Sequence, residues 1–281
     1  NDGGYSGGGM RNTDKTRTTI VNSIFENNTA GIGGGMCNVD EYDDSGTYDS
    51  TQVTIIDCIF TGNTAVICEE CNIPSNGGGV YNYAIIGTIV SCTFENNTAM
   101  WGGGMQSINS YISMTDSSFT GNTAEGWGGG LYITTMAFYG DEYNYHEITR
   151  CTFTNNTSNN ITESSFGGGG GIMNVRTSPI LRECTFENNT AENGGGMANL
   201  NFGDSTLIDC LFTNNTADYS GGGMFNWDSS EPILTDCTLT GNTAFLGNGI
   251  TNGSSSSTHF IGTDASDGLH IEEIGSFAFS A

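Results

Sequence analysis

The stretch Phe25-Glu26-Asn27-Asn28-Thr29-Ala30, followed after two residues by Gly33-Gly34-Gly35-Met36, contains the pattern from which the fold is predicted. The phenylalanine element returns at Phe60, Phe94, Phe119, Phe153, Phe186, Phe212 and, with leucine instead, Leu239. The glycine run returns before the apolar residues Met10, Val80, Met105, Leu131, Ile172, Met197, Met224 and, as Gly-Asn-Gly, Ile250. The shortest spacings between these apolar residues are 25 to 27 residues. Self-similarity at one period is typical of a repeat architecture, so we predict a solenoid.

The residues around each phenylalanine predict a short strand and then a corner. In the stretch 207–213, Cys210 and Phe212 alternate inward, whereas Asp209 and Thr213 point outward. An apolar residue three positions before the cysteine breaks this alternation, so we expect a bend between them. The Asn-Asn-Thr or Gly-Asn-Thr that follows the phenylalanine predicts a corner, because Asn and Gly tolerate left-handed backbone conformations. The glycine run then predicts a place where two backbones approach closely.

These features predict an all-β protein, a right-handed parallel β-helix of about nine coils. Coils that stack at about 4.8 Å give a column on the order of 40 Å long. Residues 1–265 form a single domain, and residues 266–281 form a tail that is a possible docking strand. Four insertions interrupt the minimal coil, two at each of two corners, at residues 39–50, 66–76, 134–147 and 158–166.

Three rows of residues are predicted to stack inside the column, one residue from each coil. A row of small buried residues contains Cys58, Cys92, Cys151, Cys184, Cys210 and Cys237, with Ser23, Ser117 and Thr258 at the same position in other coils. An aromatic row contains Phe60, Phe94, Phe119, Phe153, Phe186 and Phe212, with Phe260 in a degenerate ninth copy. An amide ladder contains Asn28, Asn63, Asn97, Asn122, Asn156, Asn189, Asn215 and Asn242.

The pairing of Phe-x-x-Asn with a glycine-rich element and an aliphatic residue resembles the repeat pair of the chlamydial polymorphic outer-membrane proteins. It is also similar, more broadly, to secreted bacterial and archaeal β-helix repeats. The resemblance covers nearly the whole chain, although this sequence has Gly where that family commonly has Ala. It implies a β-helical passenger exposed at the cell surface, with adhesion as its role.

Composition excludes several classes of partner. The 281 residues include six Lys and Arg against 31 Asp and Glu, which gives a net charge of −25. Such a charge repels nucleic acid and anionic membranes, so neither is an expected partner. No apolar run approaches the roughly 20 residues of a membrane-spanning helix. We therefore expect an extracellular or cell-surface protein that does not insert in a membrane.

The insertions carry the candidate ligand sites, because loops on a rigid scaffold commonly hold function. Two of them mix carboxylates with tyrosines, a composition that suits Ca²⁺ or sugar stacking. The possible Ca²⁺ ligands are Asp40, Glu41, Asp43, Asp44, Asp141 and Glu142. The alternative interpretation is a solvated acidic loop with Tyr packed on the flank of the helix. No other cofactor is predicted.

Three cysteines lie outside the inward row, namely Cys37, Cys68 and Cys71. Cys68 and Cys71 form one Cys-x-x-Cys without a second pair or a nearby His, which disfavours a zinc site. A disulfide between two of the three suits an extracellular protein. The cysteines of the inward row are expected to be inert thiols, because in-register side chains point the same way rather than at each other.

Catalysis on polysaccharides is a less favoured alternative. The run from Arg176 to Arg182 superficially resembles the Arg-x-Pro-x-x-Arg of pectate lyases, but its spacing differs by one residue. A hydrolase needs two facing carboxylates, and Asp43 with Asp141 is the candidate pair. We therefore predict a protein that is not an enzyme.

Both ends of the sequence are expected to lie in mid-coil, where exposed sheet edges favour pairing with another chain. One hypothesis is a head-to-tail homopolymer, an extracellular filament or sheath, since a heterologous contact that does not close gives a filament. The residues expected at this contact are Gly8, Met10, Phe260, Phe277 and Phe279. The alternative is a fragment of a longer surface adhesin that binds a glycan or a cell surface.

Overall fold

The computed structural model describes residues 5–13, 15–40, 51–67, 75–136, 146–159, 168–263 and 273–274. Within these ranges the regular structure consists of strands that pair in parallel with the coil before and the coil after, and it contains no α-helix. Each of the first eight coils contributes one strand to each of four sheets, and the described residues of the last coil contribute strands to the first two sheets only. The predicted parallel β-helix of about nine coils is thereby confirmed, and its right-handed sense stays a prediction from the crossover preference of parallel strands.

The four sheets are numbered in the order in which one coil visits them. Sheet 1 follows the glycine runs and contains β1 (Met10–Thr13), β5 (Met36–Val39), β9 (Val80–Tyr83), β13 (Met105–Ile108), β17 (Leu131–Thr134), β21 (Ile172–Val175), β25 (Met197–Leu200), β29 (Met224–Trp227), β33 (Ile250–Gly253) and β35 (Glu273–Ile274). Sheet 2 contains β2 (Arg17–Val21), β6 (Gln52–Ile56), β10 (Ile86–Val90), β14 (Tyr111–Thr115), β18 (Glu147–Thr149), β22 (Ile180–Arg182), β26 (Thr206–Ile208), β30 (Ile233–Thr235) and β34 (His259–Ile261).

Sheets 3 and 4 complete each coil. Sheet 3 contains β3 (Ile24–Glu26), β7 (Ile59–Thr61), β11 (Thr93–Glu95), β15 (Ser118–Thr120), β19 (Thr152–Thr154), β23 (Thr185–Glu187), β27 (Leu211–Thr213) and β31 (Thr238–Thr240). Sheet 4 contains β4 (Thr29–Ala30), β8 (Thr64–Ala65), β12 (Thr98–Trp101), β16 (Thr123–Trp127), β20 (Thr157–Ser158), β24 (Thr190–Asn193), β28 (Thr216–Ser220) and β32 (Thr243–Leu246).

Residues with left-handed backbone conformation turn the chain at the corners. Asp209 (φ 52°) lies between the buried Leu207 and Cys210, which is where the sequence predicted a bend. Asn214 (φ 53°) makes the next corner, between sheets 3 and 4, directly after the strand that carries Phe212. Because Asn reaches this conformation at lower cost than most residues, the Asn-Asn-Thr sequence specifies the corner locally.

The aromatic row forms the centre of the core. Consecutive rings from Phe25 to Phe212 stack nearly parallel, with centroids 4.4–5.0 Å apart and interplanar angles of 4–12°. The cysteine row and the apolar residues that follow the glycines pack against these rings in one continuous hydrophobic cluster. Each phenylalanine ring therefore stacks on the phenylalanine of the next coil, so the same packing repeats along the axis of the column.

The predicted amide ladder is continuous from Asn28 to Asn242. Each side-chain N–H donates to the Oδ1 of the Asn in the next coil at 2.9–3.0 Å. From Asn63 onward, the same amide nitrogen also donates to the carbonyl oxygen of a Phe in the preceding coil at 2.8–2.9 Å. Buried amides are tolerated here because their hydrogen bonds are satisfied.

The glycine runs lie where neighbouring coils come closest. A Cβ on Gly103 would be 2.5 Å from the carbonyl oxygens of Gly129 and Thr123, and a Cβ on Gly104 would be 2.6 Å from that of Gly130. Neither contact leaves room for a methyl group. The close backbone approach predicted from the sequence is therefore confirmed.

The register at the last coil corrects one sequence prediction. Leu234 pairs with Phe260, so Phe260 continues the sheet 2 apolar row and not the aromatic row of sheet 3. Thr263, whose hydroxyl accepts a hydrogen bond from the backbone N–H of Cys237, takes the position that had been given to Thr258. The sequence Thr258-His259-Phe260 has the same spacing as the Cys-x-Phe of other coils. Its hydrogen bonds to the preceding coil nevertheless place it in sheet 2, whereas the Cys-x-Phe of other coils belongs to sheet 3.

Part of the tail does form a strand. Glu273–Ile274 adds in parallel to Ile250–Gly253 of the same chain, with Asn252 paired to Glu273 and Gly253 paired to Ile274. The tail had been expected to dock on a neighbouring molecule. In this structure its strand extends sheet 1 of its own column.

Candidate functional site

The four predicted insertions fall between described strands at two corners of the coil. Residues 39–50 and 134–147 fall between strands of sheets 1 and 2, and residues 66–76 and 158–166 fall between strands of sheets 4 and 1. The base of the first insertion is closed by a hydrogen bond from the backbone N–H of Thr51 to Asp40 Oδ2 at 2.7 Å. Asp40 is buried, and its N–H donates to the Tyr83 carbonyl oxygen at 3.0 Å. Asp40 therefore holds the two ends of the insertion together.

The calcium hypothesis depends largely on residues outside the described ranges. Glu41, Asp43, Asp44, Asp141 and Glu142 all lie there, as do both carboxylates of the predicted hydrolase pair. The parts of the chain that the structure describes contain no group of three or more His, Cys, Asp or Glu able to hold a metal ion. Calcium binding at these insertions stays a prediction.

The cysteines of the inward row are buried free thiols. Burial raises the pKa of the Cys92 thiol to about 11 and that of Cys151 to about 12. The thiolate is the reactive form, so these side chains are poor nucleophiles at neutral pH. Cys37 is also a buried free thiol, packed beside Tyr81 and Ile108 and not in a disulfide. Cys68 and Cys71 lie outside the described residues, and a disulfide between them stays a prediction.

His146 is a buried histidine that the sequence analysis did not single out. It is 1% exposed, and Nδ1 has no hydrogen-bond partner among the residues that the structure describes. Burial lowers its pKa to about 4, so the ring is neutral at pH 7. The sequence contained a signal for this burial, because His146 directly precedes the strand Glu147–Thr149.

The lyase-like pair of arginines is divided between two places in the coil. Arg176 (φ 58°) makes the corner after Val175 of sheet 1, and Arg182 is the last residue of a sheet 2 strand. A third arginine, Arg150, forms an exposed ion pair with Asp116 of the preceding coil, with Nε 2.7 Å from Oδ1. The Arg150 guanidinium holds the pKa of the Asp116 carboxyl below its usual value.

The residues predicted for self-association differ in their surroundings. Gly8 is buried beneath the next coil, and Met10 and Phe260 are partly buried against the ends of the core. Phe277 and Phe279 lie outside the described residues. A homopolymeric contact through these residues stays a prediction.

The outer face of sheet 1 was not expected to be apolar. The second and fourth residues of its strands point away from the core, and many of them are large or aliphatic. They form two clusters outside the column, one around Cys37, Tyr81 and Ile108, the other containing Tyr132, Met173, Val175, Ala198, Leu200 and Phe225. The sequence signal was that Tyr, Ile, Val and Leu occupy many of these outward positions. A strand with its outer face in water would carry polar residues there.

A cavity of about 480 Å³ opens on this face. Its described lining residues are Trp101, Gln106, Ile108, Tyr132, Thr134, Thr135, Met136 and Arg176. Gln106 pairs in register with Tyr132, and Ile108 with Thr134, so two adjacent coils form its floor. We call this cavity the sheet 1 pocket.

Aromatic packing positions the wall of the sheet 1 pocket. Trp127 lies between its two aromatic residues, with its centroid 6.3 Å from that of Trp101 and 6.0 Å from that of Tyr132. The first pair is stacked and the second is edge-on. Gly126 leaves space for the indole, because a Cβ there would be 2.8 Å from Trp101 Nε1. The rings are therefore fixed by neighbours and not by a loop.

The fold defines the class of protein as a parallel β-helix repeat protein. A sequence model of the Chlamydia polymorphic membrane protein (Chlamydia_PMP) repeat matches residues 57–83, 116–134 and 209–223. Each match begins at the corner before the inward row and runs into a glycine run, so the resemblance predicted from the repeat pair is confirmed at these segments. Proteins of that family are associated with the outer membrane and cell surface, and the family is not one of enzymes. Neither the curated proteins nor the solved structures provide a match to the chain.

The described residues form strands, bridges, turns and bends. None of them lies in a helix long and apolar enough to cross a lipid bilayer.

Proposed function

We propose that this chain is a non-enzymatic passenger of the cell exterior, a rigid column whose outer face attaches a cell to a glycan or to another surface. The observation that carries the proposal is the unbroken ladder from Asn28 to Asn242, together with the continuous stack of phenylalanine rings. A column built this way holds outward groups at fixed positions over its whole length. The repeat match at three segments supports a surface location.

Charge and chemistry support the same function. A net charge of −25 keeps a long exposed column soluble and discourages aggregation. The basic residues needed to stabilise an enolate in a lyase are few, six in the whole chain, and one of them is neutralised by Asp116. The cysteines of the inward row are buried, so they are not available as nucleophiles.

Protease treatment of intact producing cells tests the location. We expect the chain to be digested by added proteinase K while a cytosolic marker protein remains intact. Adhesion is then measured by counting cells retained on glycan-coated and uncoated surfaces, with and without the purified chain as a competitor. The proposal is contradicted if the chain resists protease in intact cells. It is also contradicted if the purified chain does not reduce attachment of the cells.

A second candidate function is the head-to-tail filament, and one observation favours it. The edge strand Ile250–Gly253 accepts a further parallel strand, since Glu273–Ile274 pairs with it. Strand addition of this kind joins separate chains in other proteins. The strand Met10–Thr13 of a second copy offers the same parallel geometry, and it would compete with the chain's own tail for this edge.

Deletion of residues 266–281 tests the filament. If the tail limits growth, the shortened chain forms rods in negative-stain images, and its apparent mass in light scattering rises with protein concentration. The full-length chain is the matched control and should polymerise less. The full-length monomer has a mass of 29.6 kDa. If both chains remain monomeric at all concentrations, the filament hypothesis is excluded.

A further inference from the structure

We propose that the sheet 1 pocket binds a pyranose sugar that carries a carboxylate, such as a uronic or sialic acid unit of a glycan. The inference rests on the proposed surface function and names the ligand class of one site on the column. It is carried by the residues that line the pocket.

The floor of the pocket is built on strands, and the start of the 134–147 insertion and the corner residue Arg176 complete its lining. Its volume of about 480 Å³ falls within the range of about 300–1,000 Å³ that small-ligand sites occupy. Gln106 and Tyr132 belong to paired strands, and Trp101 ends a neighbouring strand of sheet 4. Sites on strands are held more precisely than sites on loops.

One buried polar atom of the described lining, Gln106 Oε1, has no partner. Gln106 is 1% exposed, yet its Oε1 accepts no hydrogen bond within the described part of the chain. An unpaired buried carbonyl costs about 1–3 kcal/mol, so its retention on a packed face is explained if a ligand hydroxyl donates to it. The Thr134 hydroxyl, on the strand paired with that of Gln106, already donates to the Thr135 carbonyl oxygen at 3.5 Å, so it offers a ligand only an acceptor.

Arg176 provides the charge. It is exposed at the pocket rim and makes no ion pair with any residue that the structure describes. Arg176 lines the same cavity as Tyr132, a residue of its floor. No described residue of the lining carries a carboxylate. A guanidinium binds carboxylates through two parallel hydrogen bonds, which favours an acidic ligand even on a chain of net negative charge.

The aromatic wall selects a sugar over other carboxylates. Trp101 is partly exposed and presents an amphipathic ring on which the C–H face of a pyranose packs, while the sugar hydroxyls remain free for Gln106. A peptide carboxylate would satisfy Arg176 but would not require a fixed aromatic ring and an acceptor beside it. The combination of the Trp101 ring, the Gln106 amide and the Arg176 guanidinium therefore favours an acidic pyranose.

The test compares D-glucuronic acid with D-glucose, which differ only in the carboxylate at C6, by saturation-transfer NMR and tryptophan fluorescence of the full chain. We expect binding of glucuronic acid and at least about tenfold weaker binding of glucose, because a charged hydrogen bond contributes about 1.5–3 kcal/mol. N-acetylneuraminic acid, tested alongside, distinguishes sialylated glycans from those that contain uronic acids. Absence of saturation transfer to either acid from the folded chain overturns the proposal.

Three variants localise the binding. Arg176→Gln should reduce affinity for the acid to that for glucose, whereas Arg182→Gln, a matched loss of one exposed charge outside the pocket, should have no effect. Gln106→Leu removes the unpaired carbonyl at similar volume, so it should weaken both sugars with an unchanged or raised melting temperature. Equal affinity of the Arg176→Gln and Arg182→Gln chains for glucuronic acid overturns the proposal.

The same variants separate this proposal from the surface function. If cells attach through the chain and Arg176→Gln does not reduce attachment, the surface function stands and the sheet 1 pocket is not its ligand site. If the chain binds glucuronic acid but is protected from protease in intact cells, the pocket stands and the surface function fails.

Discussion

The backbone N–H and the side-chain N–H of Asn97 both donate to Oδ1 of Asn122 in the next coil, each at 3.0 Å. One side-chain oxygen therefore satisfies two buried donors and joins two coils. The same arrangement recurs along the whole ladder, so the stability of the column depends on it.

Asn122→Ala is expected to lower the free energy of unfolding by about 3 kcal/mol, since it leaves two buried N–H groups of Asn97 unpaired at about 1–3 kcal/mol each. Urea denaturation followed by circular dichroism measures the change. Asn96→Gly is the matched control, because Asn96 is exposed at the same corner position that Gly121 occupies in the next coil. An equal loss in both variants would contradict a special role for the ladder.

Gly104→Ala is expected to destabilise the column by about 1–3 kcal/mol, because the added methyl would meet the Gly130 carbonyl oxygen at 2.6 Å, a contact that backbone can relieve only by moving a coil. Gly87→Ala is the control. There the new methyl meets only side-chain atoms of Ile85 and Ile112, which can rotate away, and the flanking coil carries Val53 at this position. Thermal melts should give a lower transition temperature for the first variant and no decrease for the second.

His146 predicts a pH-dependent contribution to stability. Its folded-state pKa of about 4 lies below the ordinary value of 6.5, so the unfolded chain binds a proton first as the pH falls. Stability from the neutral ring is fully present above pH 6.5 and is lost between pH 6.5 and pH 4, by on the order of 3 kcal/mol.

His146→Phe removes this titration and the unpaired Nδ1. The difference in unfolding free energy between wild type and variant, measured by urea titration at several pH values, should therefore grow in favour of the variant as the pH falls from 7 to 4. A difference that is constant over this range would show that His146 is not buried in a neutral form.

The buried thiols predict a two-stage reaction with DTNB at pH 8. The cysteines of the inward row and Cys37 should not react in the folded chain, because burial blocks access of the reagent and also raises the pKa of the Cys37 and Cys151 thiols. In denaturant, seven thiols should react if Cys68 and Cys71 form a disulfide, and all nine if they do not. Prior reduction gives the reference value of nine, and rapid labelling of the folded chain at the inward row would contradict the described burial.

Much of the coil was predictable because its determinants are local. The Asn-Asn-Thr corner, the inward alternation of Cys210 and Phe212, and the bend at Asp209 each follow from the conformational preference of a residue or from its place in a period. The continuous ladder and ring stack then follow from repetition, since equal units that stack in register bring equal residues together.

The prediction failed where repetition became degenerate. Thr258-His259-Phe260 has the letters of the inward strand, but the hydrogen bonds to the previous coil place Phe260 opposite Leu234. Similarly, Trp101, Gln106 and Arg176 are separated along the chain and belong to no repeated motif. They meet because their strands are adjacent in the stack.

The sequence by itself determined the unit of this protein: a coil with an inward Phe, an Asn corner and a glycine run that admits no side chain. These are properties of single residues and short spacings, so they can be read without knowledge of distant contacts. Only the tertiary structure decided the register of the last coil, the pairing of the tail strand with Ile250–Gly253 and the presence of Arg176 and Tyr132 around one cavity. These depend on hydrogen bonds and packing between coils, which the order of residues within one coil does not specify.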